Sequence, residues 1–354
     1  MSELSHTAWV VWSGLAIGLL FGAVVQRTGF CLTRGLQRWW LEGDGRKART
    51  FALAVAVAVL GTQALAAWGG VDLGGALYLQ GAFSWLAVPL GGVLFGYGMV
   101  AANGCGSRAL VLLGSGNLRS FVVLLCLGIT AYVALTGVLA PLRIQLTEST
   151  LTTPALSAPH LPALLGAWGA PPLIAQWLAV LAVAGGLLFF ALGSPAFRAD
   201  RWEWIGGLVV GVLIPAGWWV TGVLGADDFD PVPVTSLTFV APIGDAIQYA
   251  MFSTGMVLEF GVAVVGGVVS GAAAAAVLSG TFRLEGFSNP QRMLRSMGGG
   301  ALMGVGGALA LGCSIGQGLT GISTLALPSF LAGGGILLGA WAALKGPLRL
   351  PNES

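Results

Sequence analysis

The sequence predicts an all-α polytopic membrane protein, and its composition and hydropathy carry that prediction. Of the 354 residues, 56% are hydrophobic and only 8% are charged, whereas a soluble domain has roughly 25% charged residues. Apolar runs of about 20 residues, the length that crosses a bilayer, recur along the whole chain. The 57 glycines suit membrane helices, which use small residues to approach one another closely. We therefore expect residues 1–354 to form a single domain in the lipid bilayer.

Hydropathy predicts about nine transmembrane helices. They are placed at 8–26, 49–69, 84–103, 118–140, 171–192, 203–222, 257–279, 297–312 and 325–345. A further apolar stretch, 240–256, contains a proline, a glycine and Asp245, and is predicted to be interfacial or partly inserted. The stretches 107–113 and 315–325 are too short to span, and they predict re-entrant helices.

The basic residues predict the orientation of the chain. With nine spans and an external N-terminus, all of the 16 Lys and Arg residues except Arg143 fall on the inner side. Because inner loops of membrane proteins carry an excess of Lys and Arg, we expect the N-terminus outside and the C-terminus inside. No region is basic enough to indicate a nucleic acid partner.

Two segments of similar sequence, 91–105 and 299–313, are identical at eight of fifteen positions, and each ends in a cysteine. Residues 9–29 likewise match 202–222 in register. We therefore expect one repeat half at 8–140, a connecting helix at 171–192 and a second half at 203–345. Because the connector is a single span, the second half would be inverted, as in many secondary transporters. The alternative is that glycine-rich helices resemble one another by composition alone.

Three of the four cysteines, Cys31, Cys105 and Cys313, lie just beyond a predicted helix in a glycine-rich or polar setting. Thiols offer weak S–H donors and a polarisable sulfur, and glycine exposes backbone N–H groups, so the pattern favours a small anion that contains sulfur. The supporting residues would be Gly29, Gly104, Gly106, Ser107, Gly312, Ser314 and Gln317, with Arg34 and Arg108 attracting the anion. Cys126 lies in an apolar run and is expected to be a buried hydrophobic residue.

Other uses of the thiols are less favoured by the spacing. No metal is expected, since the sequence lacks a C-x-x-C pair and its two histidines, His6 and His160, lie in a tail and an outer loop. A structural disulfide remains an alternative. The G-x-G-x-x-G run at 316–321 follows a membrane helix instead of a strand, which disfavours nucleotide binding.

At these cysteine motifs the sequence resembles the YeeE/YedE family, the thiosulfate transporters of bacterial inner membranes. The matching residues are Arg27-Thr28-Gly29-Phe30-Cys31-Leu32-Thr33, Gly104-Cys105 and Gly312-Cys313-Ser314-Ile315-Gly316. The resemblance implies an hourglass-like helical protein, not an enzyme and without a cofactor. In it, thiosulfate passes a constriction lined by Cys31, Cys105 and Cys313 through a relay of thiol hydrogen bonds. It also implies a separate TusA-like sulfur-carrier protein on the cytoplasmic side.

Three alternatives stay open at this stage. The chain could be a membrane-bound sulfurtransferase or thiol-redox protein that forms a cysteine persulfide. It could transport another sulfur or selenium compound. It could also be a channel-like structural subunit without sulfur chemistry.

Overall fold

The structure, a computed structural model, describes residues 6–152, 159–227, 231–286 and 289–350. Nearly all of its regular structure is helical. In this part of the chain the strands are β1 (Phe83–Ser84) and β2 (Leu151–Thr152), which pair antiparallel. The prediction of an all-α fold is confirmed.

The first third of the chain forms six α-helices. They are α1 (His6–Thr28), α2 (Leu32–Gln37), α3 (Arg46–Ala67), α4 (Ala87–Ala101), α5 (Gly106–Gly114) and α6 (Leu118–Leu135). A π-helical turn, Arg38–Glu42, continues α2, and two 3₁₀ turns, Leu73–Gly75 and Leu77–Leu79, follow α3.

The middle of the chain forms five shorter helices. They are α7 (Ala140–Ser149), α8 (Leu161–Ala167), α9 (Pro172–Val180), α10 (Gly186–Leu192) and α11 (Pro195–Ala199). The π-helical turn Leu181–Gly185 joins α9 to α10, so the predicted connecting helix at 171–192 is present with one turn widened.

The last part of the chain forms five more helices. They are α12 (Arg201–Trp219), α13 (Val240–Phe252), α14 (Phe260–Leu278), α15 (Pro290–Leu309) and α16 (Leu327–Leu344). Two π-helical segments, Val220–Leu224 and Gly316–Gly321, follow α12 and α15. The stretch predicted to be partly inserted contains α13, whose 13 residues reach only about 20 Å.

Eight helical segments of the described chain are long and apolar enough to cross a membrane. They are His6–Glu42, Arg46–Ala67, Ala87–Gly114, Leu118–Leu135, Pro172–Leu192, Arg201–Leu224, Phe260–Leu278 and Leu327–Leu344. The remaining predicted span, 297–312, overlaps α15, which begins earlier, ends at Leu309 and carries Arg292 and Arg295 near its start. The protein is therefore a multi-pass membrane protein.

Glycines let the long helices pack backbone against backbone. Helix α1 packs on α14, α12 on α3, α4 on α16, α15 on α6, and α4 on α15. On α4, a Cβ at Gly96 would overlap the carbonyl oxygen of Ile336 on α16. On α15, a Cβ at Gly306 would lie 2.5 Å from the backbone nitrogen of Phe95. No larger residue fits at these crossings without moving a helix.

The helix ends gather at two opposite faces of the bundle. At one face, which we call the basic end, Arg46 pairs with Asp200, Ser115 donates to Gln26, and the backbone of Arg283 donates to Ser115. At the opposite end β1 pairs with β2, and His160 bridges to Ala326. Arg143 also lies at the opposite end, where its guanidinium donates to the last carbonyls of α6.

Candidate functional site

Cys31 lies at the break between α1 and α2. Gly29 ends α1 with a φ of +65°, a conformation that costs glycine no Cβ clash. The chain then extends through Cys31, which starts α2 and is only 4% exposed. Phe30 stacks on Phe51 of α3 with ring centroids 5.6 Å apart, which anchors the break inside the bundle.

Cys105 lies at the break between α4 and α5. The end of α4 is closed by a Schellman motif, in which the N–H of Gly104 donates to the carbonyl of Met99 at 2.8 Å. Asn103 takes the left-handed conformation of this motif, with φ 59°. Cys105 follows in extended conformation, starts α5 and is 3% exposed.

Cys313 follows α15 in the same way. The N–H of Gly312 donates to the carbonyl of Gly307 at 2.9 Å, and Leu311 takes the left-handed conformation with φ 57°. The Cys313 sulfur, 1% exposed, accepts a hydrogen bond from the backbone N–H of Gly316 at 3.2 Å. The backbone N–H groups of Ile315 and Phe239 also face this sulfur. Cys313 therefore sits among backbone donors of the kind that bind anions.

The three breaks come together inside the protein. The thiols of Cys31 and Cys105 interact directly, and the Cys105 sulfur lies 3.3 Å from the hydroxyl of Ser107. Ser314, the neighbour of Cys313, also lies near the Cys105 thiol. All four cysteines are free thiols. Cys126 is separate: it lies on α6 against Gly300 of α15 and is half-buried.

Buried polar atoms near these thiols lack hydrogen-bond partners of normal geometry within the described residues. They are the hydroxyls of Thr33 and Ser314 and the side-chain carbonyl oxygen of Gln317. Thr33 and Ser314 lie near the thiols of Cys31 and Cys105, which are weak partners. Because leaving such a group unpaired costs about 1–3 kcal/mol, this cluster is suited to a polar ligand or water.

Arg108 supplies a buried positive charge beside the thiols. It lies on α5, is 8% exposed, and interacts electrostatically with Cys31 and Arg34. Gly104 packs on its stem: a Cβ there would lie 3.0 Å from Arg108 Cδ. Within the described residues Arg108 forms no ion pair with a carboxylate. A buried guanidinium without an acid attracts an anion.

A small cavity of about 120 Å³ adjoins the Cys313 break towards the opposite end. Its walls include Tyr78, Thr235, Thr238, Leu311 and Gly312. The Tyr78 hydroxyl hydrogen-bonds Thr238, and the ring packs edge-on against Trp218 with centroids 6.4 Å apart. A cavity of this size admits only a small solute.

The structure thus brings together most of the residues that the sequence predicted for the site. Gly29, Gly104, Gly106 and Gly312 form the breaks, and Ser107, Ser314, Gln317 and Arg108 surround the thiols. Arg34 is exposed at the basic end, but its backbone N–H faces the Cys31 sulfur and its guanidinium interacts electrostatically with Cys31 and Arg108. Sequence reasoning included Thr33 in the Cys31 motif without naming it as a site residue, and it missed Tyr78 and Thr238. The position of Thr33, two residues after Cys31, was the signal for its role, whereas nothing in the sequence marks Tyr78 as part of the site.

Such a fold and site define a polytopic helical membrane protein with three thiols buried at helix breaks. The chain belongs to the sulphur transport family, whose model matches residues 27–342. It is similar to the thiosulfate transporter TsuA of Escherichia coli (strain K12), with 28% identity over 348 residues and 94% of each chain covered. It is also similar to the thiosulfate transporter TsuA of Spirochaeta thermophila, with 27% identity over 349 residues, covering 94% of this chain and 97% of that one. The family that the sequence analysis named by resemblance is therefore confirmed.

Proposed function

We propose that this protein takes up thiosulfate, or a closely related sulfur-containing anion, across the bacterial cytoplasmic membrane. The observation that carries the proposal is the convergence of Cys31, Cys105 and the Cys313 segment around a buried Arg108 that has no carboxylate partner among the described residues. Thiols match the sulfur end of such an anion, and the guanidinium and backbone N–H groups match its oxygens.

The proposed path runs from the opposite end to the basic end. The anion enters the cavity beside Tyr78 and meets the backbone donors around Cys313. It then passes Ser314 to the Cys105 and Cys31 thiols, which hand it on by exchanging hydrogen bonds without a covalent bond. The basic end faces the cytoplasm, with the N-terminus outside, because inner loops carry the excess of Lys and Arg.

We propose that the two halves, 8–140 and 203–345, form an inverted repeat around this path. The packing supports it: exchanging the halves turns the α1–α14 pair into α12–α3, and the α4–α16 pair into α15–α6. The α4–α15 pair maps onto itself. The left-handed residues Asn103 and Leu311 also occupy matched positions, two residues before Cys105 and Cys313.

A soluble sulfur carrier of the TusA type would receive the anion at the basic end. The exposed Arg34 and Arg38 lie at that end, close to the Cys31 break. This part of the proposal rests on the family resemblance together with the charge of the surface.

Growth of a sulfur-starved host on thiosulfate as sole sulfur source tests the proposal. We expect the unmodified protein to support growth, and Cys105→Ala and Cys313→Ala to reduce it strongly while the protein is made and inserted normally. Cys126→Ala, at the α6–α15 contact and apart from the three thiols, is the matched control and should grow normally. If the Cys105 and Cys313 variants grow like the unmodified protein, the relay is wrong. If mass spectrometry finds a persulfide on Cys31 during turnover, the sulfurtransferase alternative replaces it.

A further inference from the structure

Lys47 and Glu203 form a buried ion pair near the Cys31 break. Lys47 is the second residue of α3, and its ammonium nitrogen lies 2.6 Å from a carboxylate oxygen of Glu203 on α12. Their side chains are only 12% and 7% exposed. The ammonium also donates to the carbonyl of Thr28, the last residue of α1, at 2.5 Å. The other carboxylate oxygen of Glu203 accepts from the Thr50 hydroxyl.

Stability alone does not account for this pair. A buried ion pair contributes little more to stability than well-packed apolar residues of the same size, because both charges lose their hydration. In the matched segment of α1, the position of Glu203 is held by Val10, which is buried and apolar. The ion pair is thus present in only one of the two matched helices.

Gly29 leaves a gap between Lys47 and a second cation. A Cβ on Gly29 would lie 3.7 Å from the Lys47 ammonium nitrogen and 3.9 Å from a guanidinium nitrogen of Arg34. Because glycine has no side chain, the position between the two cations is left open. Cys31 follows Gly29 by two residues. Two positive charges thus border one small space next to the thiol.

The formal charges around this space sum to +1, from Lys47 and Arg34 (+2) less Glu203 (−1). Glu203 holds the ammonium in position and cancels only part of the charge. A divalent oxyanion that leaves Cys31 would meet an ammonium that is already desolvated and oriented.

We infer that Lys47 and Arg34 form an anion subsite over Gly29, which binds the oxygens of a sulfur oxyanion as it leaves Cys31, with Glu203 as the positioning residue of Lys47. The direction of passage rests on the proposed function, but binding at the subsite does not. The subsite explains why a lysine, and not an aliphatic residue, is buried at this point of α3.

Charge exchange separates binding from folding. In the double variant Lys47→Glu/Glu203→Lys the buried pair is retained, but the cation moves from α3 to α12 and away from Gly29. We expect this variant to insert, and to lose only the stability of the hydrogen bond to the Thr28 carbonyl, which a carboxylate cannot donate. It should lose thiosulfate uptake by about tenfold or more, which is the loss expected for one charged hydrogen bond. Uptake at the normal rate by the charge-exchanged protein would overturn the subsite.

Two single variants provide the matched comparison. Glu203→Gln keeps the ammonium and a hydrogen-bond acceptor beside it, so it should bind the anion at least as tightly as the unmodified protein. Lys47→Met removes the cation and should abolish binding. The readout is the rise in melting temperature of the purified protein with thiosulfate, sulfite or sulfate. A purely structural pair predicts instead that both variants lose stability and retain the anion-dependent rise.

This readout also separates the subsite from the proposed function. If the unmodified protein fails to move thiosulfate, the proposed function is wrong. The subsite still stands if any of the three oxyanions raises the melting temperature in a way that requires Lys47. If none of them stabilises the unmodified protein, the subsite is refuted.

Discussion

Asn103 and Leu311 share one unusual backbone conformation, with φ angles of 59° and 57°, although their side chains have little in common. Each residue stands two positions before a buried cysteine and turns the chain out of a helix. Asparagine tolerates the left-handed region, whereas leucine seldom adopts it. The turn is therefore imposed by the surroundings of the second cysteine and not by the local sequence.

Leu311→Asn should stabilise the protein by about 1 kcal/mol, because it relieves the strain of a bulky residue at positive φ. The reciprocal change, Asn103→Leu, should destabilise it by a similar amount. Unfolding of the purified protein in detergent measures both. Equal loss of stability in the two variants would show that side-chain packing of Leu311 outweighs its backbone strain.

The positions of these turns were predictable, and the assembly of the thiols was only partly so. The sequence repeat placed Cys105 and Cys313 after helices because both glycine-rich segments end there. The repeat did not predict how Cys31 lies relative to Cys105, which is 74 residues away in the chain. Their direct interaction depends on how α1, α2 and α5 pack, and hydropathy does not encode that packing.

Gly96→Ala should destabilise the protein by roughly 1–3 kcal/mol, the usual cost of overpacking. The added methyl would overlap the carbonyl of Ile336 on α16. Gly334→Ala is the control, because nothing lies within 4 Å of its added methyl. There the gain in helix propensity, up to about 1 kcal/mol, should leave stability unchanged or raised. Thermal unfolding that ranks the two variants in the reverse order would contradict the close contact.

Serine and alanine at the same cysteine distinguish a hydrogen-bond relay from covalent chemistry. If thiols act by hydrogen bonding, Cys31→Ser should retain part of the thiosulfate uptake and Cys31→Ala should lose roughly fivefold more, since a hydrogen bond contributes about 1 kcal/mol. Uptake of radiolabelled thiosulfate into proteoliposomes measures the difference. A persulfide mechanism requires sulfur, so both variants would then be equally inactive.

Acid should lower the stability of the protein by removing the cap that His160 forms on α8. Its ring nitrogen Nδ1 accepts from the backbone of Ala163 at 3.0 Å and caps α8, and burial lowers the pKa of His160 below its ordinary 6.5. The pKa of His160 is lower in the folded state than in the unfolded state. The stability that the neutral ring contributes is therefore fully present above the unfolded-state pKa, and it is lost as the pH falls through the folded-state pKa. The cap contributes about 1 kcal/mol.

His160→Asn keeps a neutral cap that cannot be protonated. We expect its melting temperature to fall less than that of the unmodified protein between about pH 7.5 and about pH 5. An equally steep fall would assign the acid sensitivity to other groups.

Lys47 shows why the remaining features escaped sequence analysis. In a membrane protein the basic residues near helix ends are explained by orientation, and Lys47 stands among several of them. Its burial becomes evident only once α12 lies against α3 and brings Glu203 to it. Tyr78 likewise lies in a short turn between helices, and only the fold places it beside the Cys313 segment.

The narrow cavity beside Tyr78 has a consequence for the choice of ion. On the proposed path, a space of about 120 Å³ is too small for an anion with its full solvation shell, so the anion would give up part of its water before it reaches the thiols. Under the proposed function, an anion with one soft, weakly solvated sulfur terminus gives up that water more readily than one that is oxygen on every side. Discrimination against sulfate would then begin in this entrance cavity, as a difference in the free energy of dehydration, before the anion contacts a thiol.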